Sequence, residues 1–277
     1  MSAYQLDLGD ITISWLNGGE FALDGGTMFG AVPKILWSRR YPADSDNYIK
    51  MLAAPLLVRA SGRVILIDTG LGNKLSEKRR KIYRVSKDWS VIEDLAEIDL
   101  TPGDIDTVIL THCDFDHAGG VVRIDPEGRP MLTFPNARHI VNEMEWQDVR
   151  HVNSRSAHTY FAENFVGLEG SGQLELIDHS YEVAPGITVR HTGGHTRGHQ
   201  IVEINGRSGC ALHLGDVMPT HVHANPLWIM AYDDFPLEVI AQKEHLIERY
   251  RDRGCWFTFY HDDFMKAGRL DSDGRIS

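Results

Sequence analysis

The chain has 277 residues, of which 42% are hydrophobic, and its 39 acidic and 28 basic side chains give a formal charge of −11. This apolar content is enough for a sizeable core, whereas the acidic balance argues against nucleic acid as a partner, because proteins that bind a phosphate backbone usually present a basic face. No apolar run approaches the length of a membrane span, and the N-terminus lacks a basic segment followed by an apolar one, so we expect a cytoplasmic protein without a membrane partner.

Nine short apolar runs, many of them rich in β-branched residues, are predicted to be strands. They are 11–16, 55–59, 64–67, 107–110, 139–141, 187–190, 200–204, 211–214 and 256–260. Several are apolar without interruption, as is typical of strands that helices cover on at least one face.

Helical patterns lie between the strands, at 91–98 and, as the longest helix, at 237–253. The alternation of strands and helices predicts an α/β fold. The segment 150–173, rich in Asn, Ser, His and Gly, is predicted to be an irregular insertion, and the tail after Lys266 is predicted to be frayed.

The three cysteines are odd in number and widely spaced, which disfavours a disulfide framework. Cys113 is expected to point into the core. Cys210 and Cys255 are interpreted as small buried hydrophobic side chains on strands.

The run 111–117, which follows a predicted strand, places His112, Asp114, Asp116 and His117 within six residues. Imidazole and carboxylate groups suit divalent ions such as zinc, manganese, cobalt and iron, and a strand that ends in a tight loop can aim several donors at one point. For this run taken alone, the alternative is a polar loop with two ordinary histidines.

Three later motifs favour the metal interpretation, because each places a His or Asp just after a predicted strand. They are the glycine-flanked His195, the Gly-Asp pair at Asp216, and His261. Together with the first run, in this order, they resemble the metallo-β-lactamase superfamily, and the resemblance spans nearly the whole chain. It implies an αββα sandwich of two mixed β-sheets flanked by helices, formed here by a single domain over 1–277.

The resemblance also implies two divalent ions, held by seven side chains at matching positions. These are His112, Asp114 and His195 for metal one, Asp116, His117 and His261 for metal two, and Asp216 as a bridge between the ions. Zinc is the expected metal, with iron, manganese or cobalt as alternatives.

Asp114 departs from the family pattern, which usually has a His at this place. Four neutral His and three carboxylates give the ligand set a charge of −3 against +4 from two divalent ions. The cluster is therefore one unit less positive than usual, and it should acidify bound water less. Since a carboxylate favours harder ions than zinc, iron and manganese enter consideration.

Other polar residues are expected to support the ligands. The superfamily uses an aspartate at the position of Asp68 to hold the ligand-bearing loop, and His199 is expected to support the site without binding metal. His213 is interpreted as a buried, hydrogen-bonded histidine, and the remaining ones, His158 among them, as surface or core residues.

The segments outside the metal motifs point to a substrate. The stretches 15–19, 23–37, 218–223 and 228–233 resemble the YtnP-like quorum-quenching lactonases. The resemblance implies that a metal-bridging hydroxide opens the lactone ring of N-acyl-homoserine lactones. The expected partner is thus a small-molecule acyl lactone, and a homodimer is left open.

An acyl chain needs an apolar groove beside the metals. The candidate pocket residues are Met28, Phe29, Trp37, Trp228, Met230 and Tyr232. Core packing is the alternative role for each aromatic side chain.

The leaving alkoxide needs a proton. Several lactonases use a Tyr three residues after the bridging Asp, but Pro219 occupies that position here. His221 is therefore the first candidate for the catalytic proton donor, with His223 and Tyr232 next, and Asp116 could combine metal binding with proton transfer.

Two other functions stay open. The same metals with a different pocket would hydrolyse another ester, a thioester or an organophosphate. Alternatively, Asp114 has weakened the centre and the protein merely binds a small molecule.

Overall fold

The computed structural model describes residues 4–271 and 273–277, which form seventeen strands and seven α-helices. The strands β1 to β17 are, in chain order, Gln5–Asp7, Ile11–Trp15, Glu20–Asp24, Tyr48–Leu52, Leu56–Ala60, Arg63–Ile67, Thr107–Ile109, Val122–Ile124, Pro130–Leu132, Arg138–Asn142, Leu174–Ile177, Tyr181–Ala184, Ile187–His191, Gln200–Gly206, Gly209–His213, Trp256–Thr258 and Ala267–Arg269. The helices α1 to α7 are Gly25–Phe29, Lys34–Trp37, Glu77–Ile82, Val91–Ala96, Phe115–Ala118, Glu143–Arg150 and Pro236–Tyr250. None of these helices combines the length and the apolar composition that a membrane crossing requires.

Two mixed sheets build the sandwich. The first has the strand order β1-β2-β5-β6-β7-β10-β11 and the second the order β12-β13-β14-β15-β16-β17. Apolar side chains from both sheets, such as Ile13, Ile65, Val189 and Val202, share one core between them. Helices α4 and α6 pack on the outer face of the first sheet and α7 on that of the second. The predicted αββα architecture is therefore confirmed.

The central strands of the first sheet are buried on both faces, which explains why their sequences are apolar without interruption. In β6 and β7, Ile65 and Ile109 face the core between the sheets, whereas Leu66 and Val108 face the helical layer. A strand buried on both faces has no polar alternate positions, so it appears in the sequence as a continuous hydrophobic run.

All nine predicted strands are present, with ends that differ by one or two residues. The insertion is also confirmed, since residues 151–173 contain only short 3₁₀ turns, at Ser156–His158 and Ala162–Asn164. The prediction of a frayed tail is wrong. Strand β17 pairs antiparallel with β16, and Leu270 forms an antiparallel bridge with Ile276.

The cysteine prediction needs one correction. Cys210 and Cys255 form a disulfide, with Cα atoms 4.7 Å apart. The two cysteines are 45 positions apart in the chain but lie side by side, because β15 and β16 are parallel neighbours that pair Ala211 with Trp256. Cys113 is a free cysteine buried in the core, as expected.

Candidate metal centre

The structure brings all seven predicted ligand side chains into one cluster, in which all are buried except the half-buried Asp114. In each of three overlapping sets, the candidate ligand atoms lie within 4.8 Å of one another. The sets are His112 with Asp114 and His195, Asp116 with His117 and His261, and His112 with His117 and Asp216. The segments that directly follow β7, β13, β15 and β16, including the short helix α5, supply them, so one edge of the sandwich carries the whole cluster.

The side chains assigned to metal one surround the carboxylate of Asp114. Its Oδ2 atom lies 3.6 Å from Nε2 of His112 and 3.5 Å from Nε2 of His195. The residue that departs from the family pattern therefore points at the same place as the two imidazoles.

The side chains assigned to metal two converge on Asp216. Its Oδ1 atom lies 3.3 Å from Nε2 of His117 and 3.1 Å from Nε2 of His261. The other oxygen, Oδ2, lies 3.5 Å from Nε2 of His195. One carboxylate thus reaches both sets, which is the geometry expected of a bridge.

The donor atoms fit a cation site. Within the described residues, Nε2 of His112, Nε2 of His195 and Oδ1 of Asp216 are buried without a hydrogen-bond partner. Leaving a buried polar atom unpaired costs about 1–3 kcal/mol. Imidazole nitrogens and carboxylate oxygens are ligands of zinc, iron, manganese and cobalt, so bound divalent ions would satisfy these atoms.

Hydrogen bonds at Nδ1 turn three of the imidazoles so that Nε2 faces the cluster. His117 donates to Oδ2 of Asp68 (2.9 Å), His195 to Oδ1 of Asp233 (2.9 Å) and His261 to the carbonyl oxygen of Leu52 (2.6 Å). An acceptor at Nδ1 fixes the tautomer and leaves the Nε2 lone pair free for a metal. Asp233 was not predicted to orient a ligand, although it ends the stretch 228–233 noted in the sequence.

Asp68 ties the first ligand loop to the first sheet. Its carboxylate accepts hydrogen bonds from the backbone N (2.7 Å) and Oγ1 (2.8 Å) of Thr111 as well as from His117. Burial alone would raise the pKa of Asp68, but the His117 and His213 imidazoles hold that pKa well below its usual range. The carboxylate therefore stays ionised and can orient His117.

His199 holds Asp216 in place. Its Nε2 accepts a hydrogen bond from the backbone N of Asp216 (3.0 Å), and its Nδ1 lies 2.7 Å from Oγ1 of Thr192. Burial lowers the pKa of His199, which keeps the ring neutral. His213 is buried, with Nδ1 3.1 Å from Oγ1 of Thr258.

A cavity of about 150 Å³ lies beside the cluster. Its walls are mostly apolar and include three predicted pocket residues, Met28, Met230 and Tyr232. A second cavity of about 320 Å³ shares part of this wall and is also lined by polar groups such as Arg155 and Asp234.

The other three predicted pocket residues are not brought to this wall. Phe29 and Trp37 are buried and stacked, with ring centroids 5.0 Å apart, and Trp228 packs edge-on against Phe29 at 6.0 Å. The glycine-rich segment folds into α1, and a Cβ on Gly25 would collide with the Trp37 ring. These rings therefore form core behind Met28, which corrects the prediction.

The first candidate proton donor also lies elsewhere. His221 faces a separate cavity beside Arg40, and its Nδ1 atom is 2.5 Å from Oδ2 of Asp262. His223 is buried, with Nε2 donating to the carbonyl oxygen of Met28 (2.8 Å). Burial lowers the pKa of His223 to about 3. Of the four candidates named from the sequence, the cavity wall contains Tyr232 and Asp116.

Several wall residues were missed from the sequence. Leu23 and Phe115 lie within the stretches 23–37 and 111–117 but were not named as wall residues. Tyr83 lies outside every motif, and His158 and Thr159 come from the irregular insertion. Burial raises the pKa of Tyr83 to about 12, so its hydroxyl stays protonated.

A model of the metallo-beta-lactamase superfamily matches residues 54–239 of the chain. Among solved structures, a probable metal-dependent hydrolase from Staphylococcus aureus is 41% identical, with a TM-score of 0.93, over 98% of this chain and 97% of that chain. A dizinc quorum-quenching lactonase, solved with the product N-hexanoyl-L-homoserine, shares the fold at 19% identity, with a TM-score of 0.79, over 99% of this chain and 96% of that one.

Among curated proteins, an N-acyl homoserine lactonase of a Bacillus species is 28% identical over 146 residues, which are 49% of this chain and 51% of the relative. The chain spans between 51% and 57% of the length of the first curated relatives that it matches.

Proposed function

This chain belongs to the metallo-β-lactamase superfamily, and from that premise we propose that it is a two-metal hydrolase that opens the lactone ring of N-acyl-homoserine lactones. The observation that carries the proposal is the position of Asp216. Its two oxygens reach the two sets of candidate ligands, next to a cavity with an apolar wall.

In this proposal, the seven clustered side chains hold two divalent ions. Two such ions would polarise an ester carbonyl and lower the pKa of a water molecule, which are two of the requirements of lactone hydrolysis. The chain itself supplies the geometry, because acceptors at Nδ1 fix the His117, His195 and His261 rings.

Tyr232 is the group that we assign to the leaving oxygen. It lines the cavity, and its hydroxyl lies 2.8 Å from Oγ1 of Thr27. Burial raises the pKa of Tyr232, so the hydroxyl keeps its proton at neutral pH. Rotation about the C–O bond would turn that proton from Thr27 toward an alkoxide in the cavity.

The apolar wall supports an acyl substrate. Leu23, Met28 and Met230 line the space beside the ligand cluster, where they would contact the start of an acyl chain. The sequence relative from Bacillus, an N-acyl homoserine lactonase, supports the same substrate class.

The position of Asp114 argues against a weakened centre that only binds a ligand. A crippling replacement would be expected to turn away from the site, whereas the Asp114 carboxylate lies between the imidazoles of His112 and His195. We therefore infer that Asp114 takes the place of a third imidazole as a ligand.

The test is a pH-stat assay of the metal-loaded protein, with metal analysis of the same sample. N-acyl-homoserine lactones with acyl chains of increasing length are compared with aryl esters, thioesters and phosphotriesters. We expect the lactones to give the highest kcat/KM, rising with chain length by up to about 0.8 kcal/mol for each methylene that contacts the wall. Met230→Ala should flatten this rise. A higher kcat/KM for the aryl esters or phosphotriesters would contradict the lactonase assignment.

A further inference from the structure

Glu145 is an acidic residue near the start of α6, and its side chain is completely buried. Its carboxylate accepts three hydrogen bonds. Oε1 accepts from the backbone N of Cys113 (2.8 Å) and the hydroxyl of Tyr160 (2.6 Å), and Oε2 accepts from Oγ1 of Thr196 (2.6 Å). One carboxylate thus joins three segments that are distant in the chain.

Two of these partners are chain neighbours of the side chains assigned to metal one. Cys113 lies between His112 and Asp114, and Thr196 directly follows His195. The two loops that must meet to form this metal site are therefore fastened to the same buried carboxylate.

Asp114 depends on such a backbone anchor more than the ligands His117, His195 and His261 do. His117, His195 and His261 each have an acceptor that orients the ring. In the described part of the chain, the Asp114 carboxylate has no side chain to orient it apart from the imidazoles that would share its metal. Its direction is set by its backbone, which the preceding Cys113 N–H holds against Glu145.

The packing leaves Glu145 little freedom to move. A Cβ on Gly198 would collide with the backbone and Cβ of Glu145, so the loop that carries His195 fits against α6 only with glycine there. One turn further along α6, Asp148 pairs with Arg197, with Oδ1 2.6 Å from Nη2. The helix and the loop therefore form one tightly docked unit.

We propose that Glu145 is a positioning residue for metal one, which sets the distance between the loop of His112 and Asp114 and the loop of His195. A buried carboxylate is costly unless it is fully hydrogen-bonded, and here three donors satisfy it. This inference rests on the proposed function only for the assignment of these ligands to one ion.

The third hydrogen bond extends the same unit to the cavity. Tyr160 follows His158 and Thr159, two wall residues, and its hydroxyl is held by the oxygen of Glu145 that also holds Cys113. This bond fixes the position of the insertion's part of the cavity wall relative to the metal-one ligands.

The test measures metal retention in chelator competition, which requires no substrate. Glu145→Ala should release one of two ions at about 10–100-fold lower chelator concentration than the wild type, as is typical when a group that orients a ligand is removed. Glu145→Gln should retain its metal better than Glu145→Ala does, because the amide oxygen still accepts hydrogen bonds from Cys113 and Tyr160. Glu143→Ala, an exposed acid on the same helix, is the matched control and should behave like the wild type.

Double variants identify the ion. Glu145→Ala combined with Asp114→Ala should still retain one ion, whereas Glu145→Ala combined with His261→Ala should retain none. Wild-type metal retention in Glu145→Ala, or loss of both ions from it, would overturn the proposal.

If Glu145→Ala does not fold, Thr196→Val tests the proposal instead, because this substitution removes only the hydrogen bond between Glu145 and the loop of His195. It should release one ion more easily than the wild type. Wild-type retention in both Thr196→Val and Glu145→Gln would then overturn the inference. A protein that passes these metal tests and hydrolyses no lactone would contradict the proposed function and leave the role of Glu145 standing.

Discussion

The Nε2 atoms of His117 and His261 lie 3.1 Å apart, although the two residues are 144 positions apart in the chain. Both rings donate from Nδ1, to Asp68 and to the carbonyl of Leu52, so their Nε2 atoms face each other. Two Nε2 lone pairs at this distance would repel each other, and either a second proton on one ring or a bound cation would remove that repulsion. The pair therefore marks a place for positive charge, which the ions of the proposed centre would supply.

The first prediction concerns this pair. His117→Ala and His261→Ala should each lower the bound metal from about two ions to about one per chain, because both rings are assigned to metal two. Metal analysis after dialysis measures this, and His179→Ala, whose side chain is 86% exposed, is the control. Two retained ions in both variants would mean that neither ring is a ligand.

The second prediction concerns Asp114. Asp114→His restores the common ligand pattern and raises the charge of the cluster by one unit. Metal preference should move toward zinc, and the acid limb of the pH–rate profile should move to lower pH, because a more positive site acidifies bound water further.

Asp114→Ala should instead weaken metal one and depress turnover, whereas Asp252→His, at an exposed position, should change neither property. Full activity with two ions in Asp114→Ala would show that Asp114 is not a ligand.

The third prediction distinguishes Tyr232 from His221 as the proton donor. Tyr232→Phe should lower kcat by about 10²–10⁴ with metal content unchanged, as expected for the loss of a general acid. His221→Ala should retain most of the activity, because His221 lies on a different cavity. The opposite pattern in steady-state kinetics would return the role to His221.

The fourth prediction concerns Lys243, which is buried on α7 and donates to the carbonyl oxygen of Trp228 (2.7 Å). Burial lowers the pKa of Lys243 from its ordinary 10.5 to about 7. Between these two values the unfolded chain binds the proton and the folded chain does not, so the free energy of unfolding should rise with pH.

Lys243→Met removes this dependence. The stability of the wild type relative to Lys243→Met should increase between pH 7 and pH 10, by an amount on the order of 4 kcal/mol over the full window. Denaturant titrations at several pH values measure it, with Lys78→Met, at an exposed position, as the control. Parallel stability curves for wild type and Lys243→Met would rule out the low pKa.

The fifth prediction concerns the disulfide. Reduction, or the double variant Cys210→Ala with Cys255→Ala, should lower the free energy of unfolding by about 2–4 kcal/mol, because the bond constrains the unfolded chain. Thiol titration of the unfolded, unreduced protein should find one free thiol, that of Cys113. Three free thiols would show that the bond does not form.

The fold could be predicted from the sequence where a strand is buried on both faces, as in β6 and β7, because such a strand leaves a continuous apolar run. Edge strands of three or four residues, such as β1, β12 and β17, bury only part of their side chains and leave no such pattern. The disulfide could not be predicted for another reason. Cys210 and Cys255 meet because β15 and β16 are neighbouring parallel strands, and the sequence alone does not show which strands are neighbours.

The candidate ligands could be located because each follows a strand within a compact motif. The residues that orient these ligands could not be located from the sequence. Glu145 lies outside every motif, and nothing in the stretch that ends at Asp233 indicates a contact with His195. Only the folded chain brings these two residues to Cys113 and His195. Phe29 and Trp37 were wrongly predicted to line the pocket, because apolar composition alone does not distinguish a cavity wall from the core behind it.

The insertion contributes to the cavity wall but supplies none of the seven clustered side chains. Selection for a new substrate could therefore reshape the wall at His158 or Thr159 while the chemistry of the centre stays as it is. The next residue, Tyr160, has no such freedom, because its hydroxyl is bonded to Glu145. Within three consecutive residues, two positions are open to evolutionary change and the third is constrained by the catalytic scaffold.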